Sequence, residues 1–180
     1  MSKAIDDLKH EHEAILSALK ILDTIVARIS QGSTVPKEDV LKFIGFLKEF
    51  ADKCHHGKEE GILFPALVKA GIPEKSGPIG VMLSEHADGR NHIKDMEGAI
   101  ADLSDNAKFS ESATAYFGLL KNHIQKENNV LFPIAEKALP AVELERLYKF
   151  FEEHEEKIIG QGRHEELHRM LDGLKQKYLT

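Results

Sequence analysis

The stretch HHGKEEGILFP, residues 55–65, recurs in its key positions as HIQKENNVLFP at residues 123–133. In both copies a histidine is followed four residues later by a glutamate, and the same Leu-Phe-Pro triplet comes next. Positions four apart lie on one face of an α-helix, one turn from each other. Two such helices in one bundle would therefore converge four ligand groups in its core. The two pairs are His55 with Glu59 and His123 with Glu127.

A Glu-His dipeptide precedes each of these motifs by one helix and a loop. Glu11-His12 lies in the first half of the chain, and Glu85-His86 takes the equivalent place in the second half. The plan is a helix with a histidine, then a helix with a histidine and a glutamate, and it occurs twice. A duplicated ligand set around a pseudo-twofold axis predicts a site for two metal ions.

Helical spacing of apolar residues runs through almost the whole chain, and no segment alternates as a half-buried strand does. Short connections place long consecutive helices side by side and antiparallel. We therefore predict one all-α domain over residues 1–180. It consists of an up-and-down antiparallel four-helix bundle over about residues 1–138 and an additional C-terminal helix within about residues 140–180. The second helix is expected to lose its regularity around Pro65 or at Gly71.

Composition restricts the class of protein. Apolar residues make up 42% of the 180 residues and charged residues 30%, as in ordinary soluble globular proteins. A formal net charge of −6 argues against a nucleic-acid partner, and no apolar run approaches the roughly 20 residues of a membrane span. The first residues lack the apolar segment of a secretory signal, and Cys54 is the single cysteine. A cytoplasmic protein without disulfides is expected.

Ten histidines against one cysteine indicate that nitrogen and oxygen, not thiolate, would hold a metal. A lone histidine on an apolar face is usually a hydrogen-bonded core residue. Several histidines and carboxylates buried together would cost several kcal/mol unless coordination satisfied them all. Imidazole with carboxylate suits iron, manganese or zinc. Zinc alone needs one cluster of three or four ligands, so six ligands predict a dinuclear centre. A histidine-rich set also suits reversible binding of a small ligand.

The order and spacing of these motifs resemble the hemerythrin-like, HHE cation-binding family over about residues 5–140, and residues 160–168 are similar to the tail of one bacterial branch. The resemblance implies a non-haem di-iron centre, oxo- or hydroxo-bridged, that binds O2 or another small diatomic or peroxide ligand. It also implies the ligands. The histidine ligands would be His12, His55, His86 and His123, and the two bridging carboxylates Glu59 and Glu127.

The chain departs from the oxygen-carrying members of that family. They have a second histidine where this chain has Met82, and an aspartate five residues after the helix-four histidine, where this chain has Glu127 at four. One iron therefore lacks a nitrogen ligand. His164 and His168 have metal-ligand spacing and follow glycines that permit a helix break, so we predict that His164 reaches the metal site. The alternative is a solvated polar helix face.

Two neighbours of His55 need separate interpretations. His56 points about 100° away from it on an α-helix, so a place beside the ligands or on the surface is expected. A register slip that pairs His56 with Glu60 is the alternative. Cys54 is interpreted as a small buried helix residue rather than a redox group.

The expected function is O2 binding by the di-iron centre for sensing, storage or scavenging, without nucleic-acid or membrane partners. One alternative is an enzyme that reduces nitric oxide or decomposes peroxide at the same centre. Another is an iron-handling or iron-sensing module, and a third is a mononuclear or zinc-filled structural bundle. The sequence does not identify a redox or signalling partner.

Overall fold

The computed structural model describes residues 2–101 and 106–179, and within these ranges it is helical with no strand. The predicted all-α class is confirmed. The described ranges contain six helices. Their bounds are α1 Lys3–Ser30; α2 residues 37–69, made of Lys37–Phe46, Leu47–His56, Glu59–Leu63 and Phe64–Lys69; α3 Gly77–Ala101; α4 residues 106–138, made of Asn106–Lys126, Glu127–Leu131 and Phe132–Ala138; α5 Ala141–Ile158; and α6 Arg163–Tyr178.

The first four helices pack in a ring. α1 contacts α2 and α4, and α3 contacts α2 and α4. α5 and α6 both pack against α1 and α2. The up-and-down order of the four helices stays a prediction, with which these contacts agree. No helix within residues 2–101 and 106–179 is both long and apolar enough to cross a membrane.

The start of α1 shows how the sequence places a histidine in the interior. The Ser2 hydroxyl accepts a hydrogen bond from the backbone N–H of Ile5 at 3.4 Å, which caps the helix. From there, buried apolar residues recur every three or four positions. His12 falls on this stripe between Leu8 and Ile15, so its imidazole is buried as well.

Wide π-helical turns interrupt α2 and α4 at both repeated motifs. The N–H of Phe64 donates to the carbonyl of Glu59, and the N–H of Phe132 donates to that of Glu127, five residues back in each case. A proline follows each of these phenylalanines. In an α-helix its ring would clash with the carbonyl four residues earlier. The wider turn changes that spacing, so α2 continues through Pro65 to Lys69. The expected loss of regularity around Pro65 is the π-helical segment Glu59–Leu63.

Two apolar layers enclose a polar one. On α1, α2 and α4 the buried histidines and glutamates lie between residues of an upper layer and residues of a lower layer. The upper layer includes Ile15, Leu19, Phe43, Phe46, Phe50, Met96, Phe109, Ile124 and Leu171. The lower layer includes Ile5, Leu8, Leu63, Leu67, Met82, Leu131, Phe132 and Phe151. Because apolar side chains cover the polar layer above and below, bulk water is kept from it.

The C-terminal region differs from the single additional helix that the sequence predicts. Residues 159–162 separate α5 from α6, and Gly160 and Gly162 have φ angles of 92° and 76°, which favour glycine. α6 is also not a solvated tail, because one side of it is buried against the upper layer. Its buried residues are Leu167, Leu171, Leu174 and Tyr178.

Tyr178 attaches the end of α6 to α2 by donating a hydrogen bond of 2.7 Å to the Asp39 carboxylate, with which Lys177 also pairs. Burial alone raises the pKa of Asp39, but these two partners outweigh it and hold the pKa below its usual value of 3.8. An aspartate with a lowered folded-state pKa stabilises the fold above its unfolded-state pKa, and that contribution is lost as the pH falls through the folded-state pKa.

We therefore expect Asp39→Asn to lower the free energy of unfolding by about 1–2 kcal/mol at pH 7. The difference from the unmodified protein should begin to shrink below about pH 4, the unfolded-state pKa of an aspartate, and it should disappear once the pH is below the lowered folded-state pKa of Asp39. Urea unfolding at a series of pH values measures it. Asp172→Asn, at an exposed position paired only with Lys175, is the control and should change little. A deficit for Asp39→Asn that is equal at pH 3 and pH 7 would contradict the assignment.

Candidate metal centre

Buried histidines and glutamates from four helices form two adjoining groups with the geometry of metal sites. Within each group the ligand atoms all lie within 4.8 Å of one another, and every member is buried. Group A consists of His56, Glu59, His86 and His123. Group B consists of His12, His55, Glu59 and Glu127. The structure thus brings together all six side chains predicted from the repeat, and adds His56.

Two carboxylates connect the groups. Glu59 belongs to both, with Oε2 3.4 Å from Nε2 of His86 and Oε1 3.8 Å from Nε2 of His55. Glu127 Oε2 lies 3.1 Å from Nε2 of His12 in group B and 3.2 Å from Nε2 of His123 in group A. Each carboxylate faces one imidazole of group A and one imidazole of group B, as a bridge between two cations requires.

Eight buried polar atoms of this cluster lack a hydrogen-bond partner. They are both oxygens of Glu59 and of Glu127, both ring nitrogens of His56, and the Nε2 atoms of His12 and His55. Each buried polar group without a partner costs about 1–3 kcal/mol, and a charged one more. Metal ions bound between the two groups would satisfy the carboxylate oxygens, the Nε2 atoms of His12 and His55, and one ring nitrogen of His56. The residues present therefore fit a dinuclear metal centre.

Electrostatics favour cations at the same place. Burial lowers the pKa of His86, yet Glu59 and Glu60 outweigh it and raise that pKa to about 9. Burial raises the pKa of Glu127, but the imidazoles of His123 and His12 hold it well below its usual value. His56 differs, because burial and the neighbouring imidazoles both lower its pKa, so it is neutral, as a metal-binding imidazole must be.

Oxygen acceptors fix the orientation of four imidazoles, and they follow the sequence repeat. Glu11 accepts from Nδ1 of His55 at 2.8 Å, and Glu85 accepts from Nδ1 of His123 at 3.0 Å. The residue after each bridging glutamate serves the other two rings. Glu60 accepts from Nδ1 of His86 at 2.7 Å, and Asn128 accepts from Nδ1 of His12 at 2.9 Å. With Nδ1–H committed, Nε2 is the nitrogen that each ring presents to the cluster, the usual arrangement around metal-binding histidines.

The Leu-Phe-Pro triplets have a role in the site. Phe64 stacks on the ring of His86 with centroids 6.0 Å apart, and Phe132 stacks on His12 at 5.4 Å. The phenylalanine of each motif thus supports the histidine of the opposite half. Met82, which stands where oxygen-carrying hemerythrins have a histidine, is buried in the lower layer and contributes packing.

His56 is the residue that α-helical spacing fails to place. It lies in the π-helical segment Leu47–His56, where more residues make up a turn, so the angle between consecutive side chains is smaller than the 100° of an α-helix. His55 and His56 can then both face inward, and His56 stacks on His86 with centroids 3.9 Å apart. The equivalent position in the second motif is Ile124. Group A therefore has three imidazoles and group B has two.

His164 lies elsewhere, contrary to the expectation that it reaches the metal site. Its Nδ1 is 2.7 Å from Oε1 of Glu155, its ring stacks on Phe50 at 5.2 Å, and it belongs to neither group. The physical reason is that α6 packs on the upper layer, where Phe50 lies against the ring of His164. The additional nitrogen in the cluster comes from His56 instead.

A third group of possible ligands, formed by Glu11, Cys54 and Glu155, already contains a cation. Lys58 is 1% exposed, and its Nζ donates to Glu11 at 2.8 Å and to Glu155 at 3.2 Å. It also donates to Asp7 at 3.0 Å. The ammonium group takes the position a metal would need. Cys54 is buried, as expected, and burial beside Glu11 raises the pKa of its thiol, which keeps it protonated and unreactive.

Sequence comparisons agree with this geometry. The iron-sulfur cluster repair protein YtfE of Enterobacter sp. is 33% identical over 132 residues, covering 69% of this chain and 59% of that protein. YtfE of Escherichia coli is 31% identical with the same coverage. An uncharacterized protein of Mycobacterium tuberculosis is 24% identical over 164 residues, covering 88% of this chain and 64% of that protein. The chain thus spans less than two thirds of the length of these curated relatives. No solved structure matches it significantly.

The described site and the family comparison cover the same part of the chain. The model of the Hemerythrin HHE cation binding domain matches residues 3–135, which include every member of groups A and B. The extent of this match identifies the chain as a member of the Hemerythrin HHE cation binding domain family.

Proposed function

We propose that this protein holds two iron ions in groups A and B, within an up-and-down four-helix bundle, and that it binds dioxygen there for sensing, storage or scavenging. The observation that carries the proposal is the buried cluster of unpartnered imidazole and carboxylate atoms in which Glu59 belongs to both groups. We place the protein in the cytoplasm, where cysteines such as Cys54 are kept reduced.

The donor set favours iron over zinc. A structural zinc ion takes four ligands in a closed site, whereas these seven side chains include Glu59, which belongs to both groups, and Glu127, which faces an imidazole of each group. Imidazole and carboxylate together suit iron, and iron, unlike zinc, changes its oxidation state. A pair of ferrous ions supplies the electrons that dioxygen binding requires.

The difference between the groups gives the small ligand a preferred side. Group A has the additional imidazole of His56, while the equivalent Ile124 leaves group B with two imidazoles. Since Glu127 faces His123 as well as His12, five side chains would be available to a cation in group A and four to a cation in group B, which would leave more room in group B for a ligand from outside the protein. We infer that dioxygen binds on the group B side, against the apolar ring of Phe132, which stacks on His12.

The protein orients the metal-binding imidazoles and keeps water out of the site. The acceptors on Nδ1 of His12, His55, His86 and His123 hold the rings in place before any ligand arrives. The two apolar layers exclude water, which would limit proton transfer to a ligand held in the site. These features favour reversible binding over turnover.

The proposal is tested by the optical spectrum of anaerobically reduced, iron-loaded protein before oxygen, after oxygen and after its removal. We expect a ligand-to-metal charge-transfer band that appears with oxygen and disappears when oxygen is removed. His92→Ala, outside both groups, should behave like the unmodified protein. An irreversible change after a single exposure would contradict reversible dioxygen binding.

The similarity to iron-sulfur cluster repair proteins favours a second candidate, an iron-handling role. In that case the ions are cargo, and they should leave for an acceptor. Incubating the iron-loaded protein with an apo iron-sulfur protein and sulfide distinguishes the two functions. Transfer of both ions within minutes would support iron handling, and retention of both would support dioxygen binding.

A further inference from the structure

Two histidines outside the metal centre face each other on α6. His164 and His168 are one turn apart, and their Nε2 atoms are separated by 3.2 Å. Phe50 supports both rings, stacked on His164 at 5.2 Å and edge-on to His168 at 5.1 Å. The side chain of His164 is 23% exposed, so an ion from solvent can reach the pair.

The pair reproduces an arrangement seen within group A. There, the Nε2 atoms of His86 and His123 lie 3.1 Å apart, and a glutamate accepts from Nδ1 of each ring. At His164 the acceptor is Glu155, 2.7 Å from Nδ1. A carboxylate there holds the proton on Nδ1, so Nε2 is the nitrogen that His164 turns toward His168. The same hydrogen bond to Glu155 raises the pKa of His164, so a metal ion would displace a proton from Nε2.

The separation also fits coordination of one ion by both rings. Metal–nitrogen bonds of about 2.0–2.1 Å turn an Nε2–Nε2 distance of 3.2 Å into an angle of about 100–106° at the metal, close to tetrahedral. Burial lowers the pKa of His168, and the neighbouring His164 lowers it further. Neutral His168 is available as a ligand near neutral pH.

We propose that His164 and His168 form a separate, solvent-accessible site for one divalent transition-metal ion, with Glu155 positioning His164 and solvent completing the coordination. Imidazole nitrogens without a carboxylate ligand suit zinc, copper, nickel or cobalt better than magnesium or calcium. The site is distinct from groups A and B, because none of its histidines belongs to them. It does not depend on what the dinuclear centre binds.

Cobalt(II) is the probe, because a four-coordinate cobalt ion has intense visible ligand-field bands. Protein whose iron content has been measured is titrated with Co²⁺, and the iron content is measured again afterwards. We expect one Co²⁺ per chain without loss of iron. His168→Gln and His164→Gln should each weaken this binding at least about tenfold, while the iron content and its spectrum stay unchanged.

The matched control is His154→Gln. His154 neighbours Glu155 in sequence, but its Nε2 contacts the backbone carbonyl of Lys53 at 3.0 Å rather than a histidine. It should bind Co²⁺ like the unmodified protein. A plain hydrogen bond between His164 and His168 predicts no cobalt bands, and that result would overturn the proposal. So would undiminished Co²⁺ binding in both glutamine variants. Circular dichroism and retained iron show that each variant is folded.

Discussion

Replacing Glu59 by alanine is expected to lower the iron content from two ions per chain to none. Glu59 belongs to groups A and B alike, and both of its oxygens are buried without a hydrogen-bond partner. Its removal takes one ligand from each ion and also the negative charge that holds two cations close together. Metal analysis after anaerobic loading with Fe²⁺ and gel filtration measures the effect.

The neighbouring Glu60 is the matched control. It accepts from Nδ1 of His86 and pairs with Arg90 at 2.6 Å, so it orients a ligand without belonging to either group. Glu60→Gln should keep both ions and weaken binding in group A by about 10–100-fold. If Glu60→Gln lost both ions and Glu59→Ala retained them, the motif would pair in the other register, His56 with Glu60, and the present assignment would be wrong.

Replacing Lys58 by methionine is expected to lower the free energy of unfolding by about 3–5 kcal/mol. Lys58 is 1% exposed and donates to Asp7, Glu11 and Glu155. Burial lowers the pKa of Lys58, but the surrounding carboxylates outweigh it and raise the pKa above its usual value, so the amine is charged. Methionine matches its size but leaves three carboxylates together without a cation.

The sequence repeat provides the control for this experiment. Lys126 is equivalent to Lys58 and pairs with Glu85 as Lys58 pairs with Glu11, but its side chain is 41% exposed. Lys126→Met should cost less than about 1 kcal/mol, because water replaces the lost ion pair. Urea unfolding of the iron-loaded proteins gives both values. Equal losses for the two variants would contradict the role assigned to burial.

The repeated His-x-x-x-Glu spacing is sufficient to predict which six side chains meet. Spacing by four residues keeps two side chains on one face of the helix, and apolar residues three or four positions away fix which face is buried. The same reasoning predicts the all-α class, since helical periodicity extends over nearly the whole chain. That these six side chains bind iron stays a prediction.

The parts that the sequence did not predict depend on local distortion or on distant contacts. His56 faces the site because a π-helical segment changes the angle between successive residues, and α-helical spacing contains no signal for it. The one indication in the sequence that His56 could join the site is that it directly follows the ligand His55. Lys58 and Glu155 are far apart in the chain, so only packing of α5 brings them together. His164 follows a glycine break whose direction the sequence does not determine.

The most direct test of the dinuclear centre is the number of ions it holds. His168→Gln protein, in which the proposed site on α6 is removed, is loaded anaerobically with Fe²⁺, washed with a weak chelator and analysed for iron and protein. We expect two iron ions per chain, falling to none when Glu59→Ala is added. A single iron ion per chain, or two that persist without Glu59, would contradict a centre in which that carboxylate joins groups A and B.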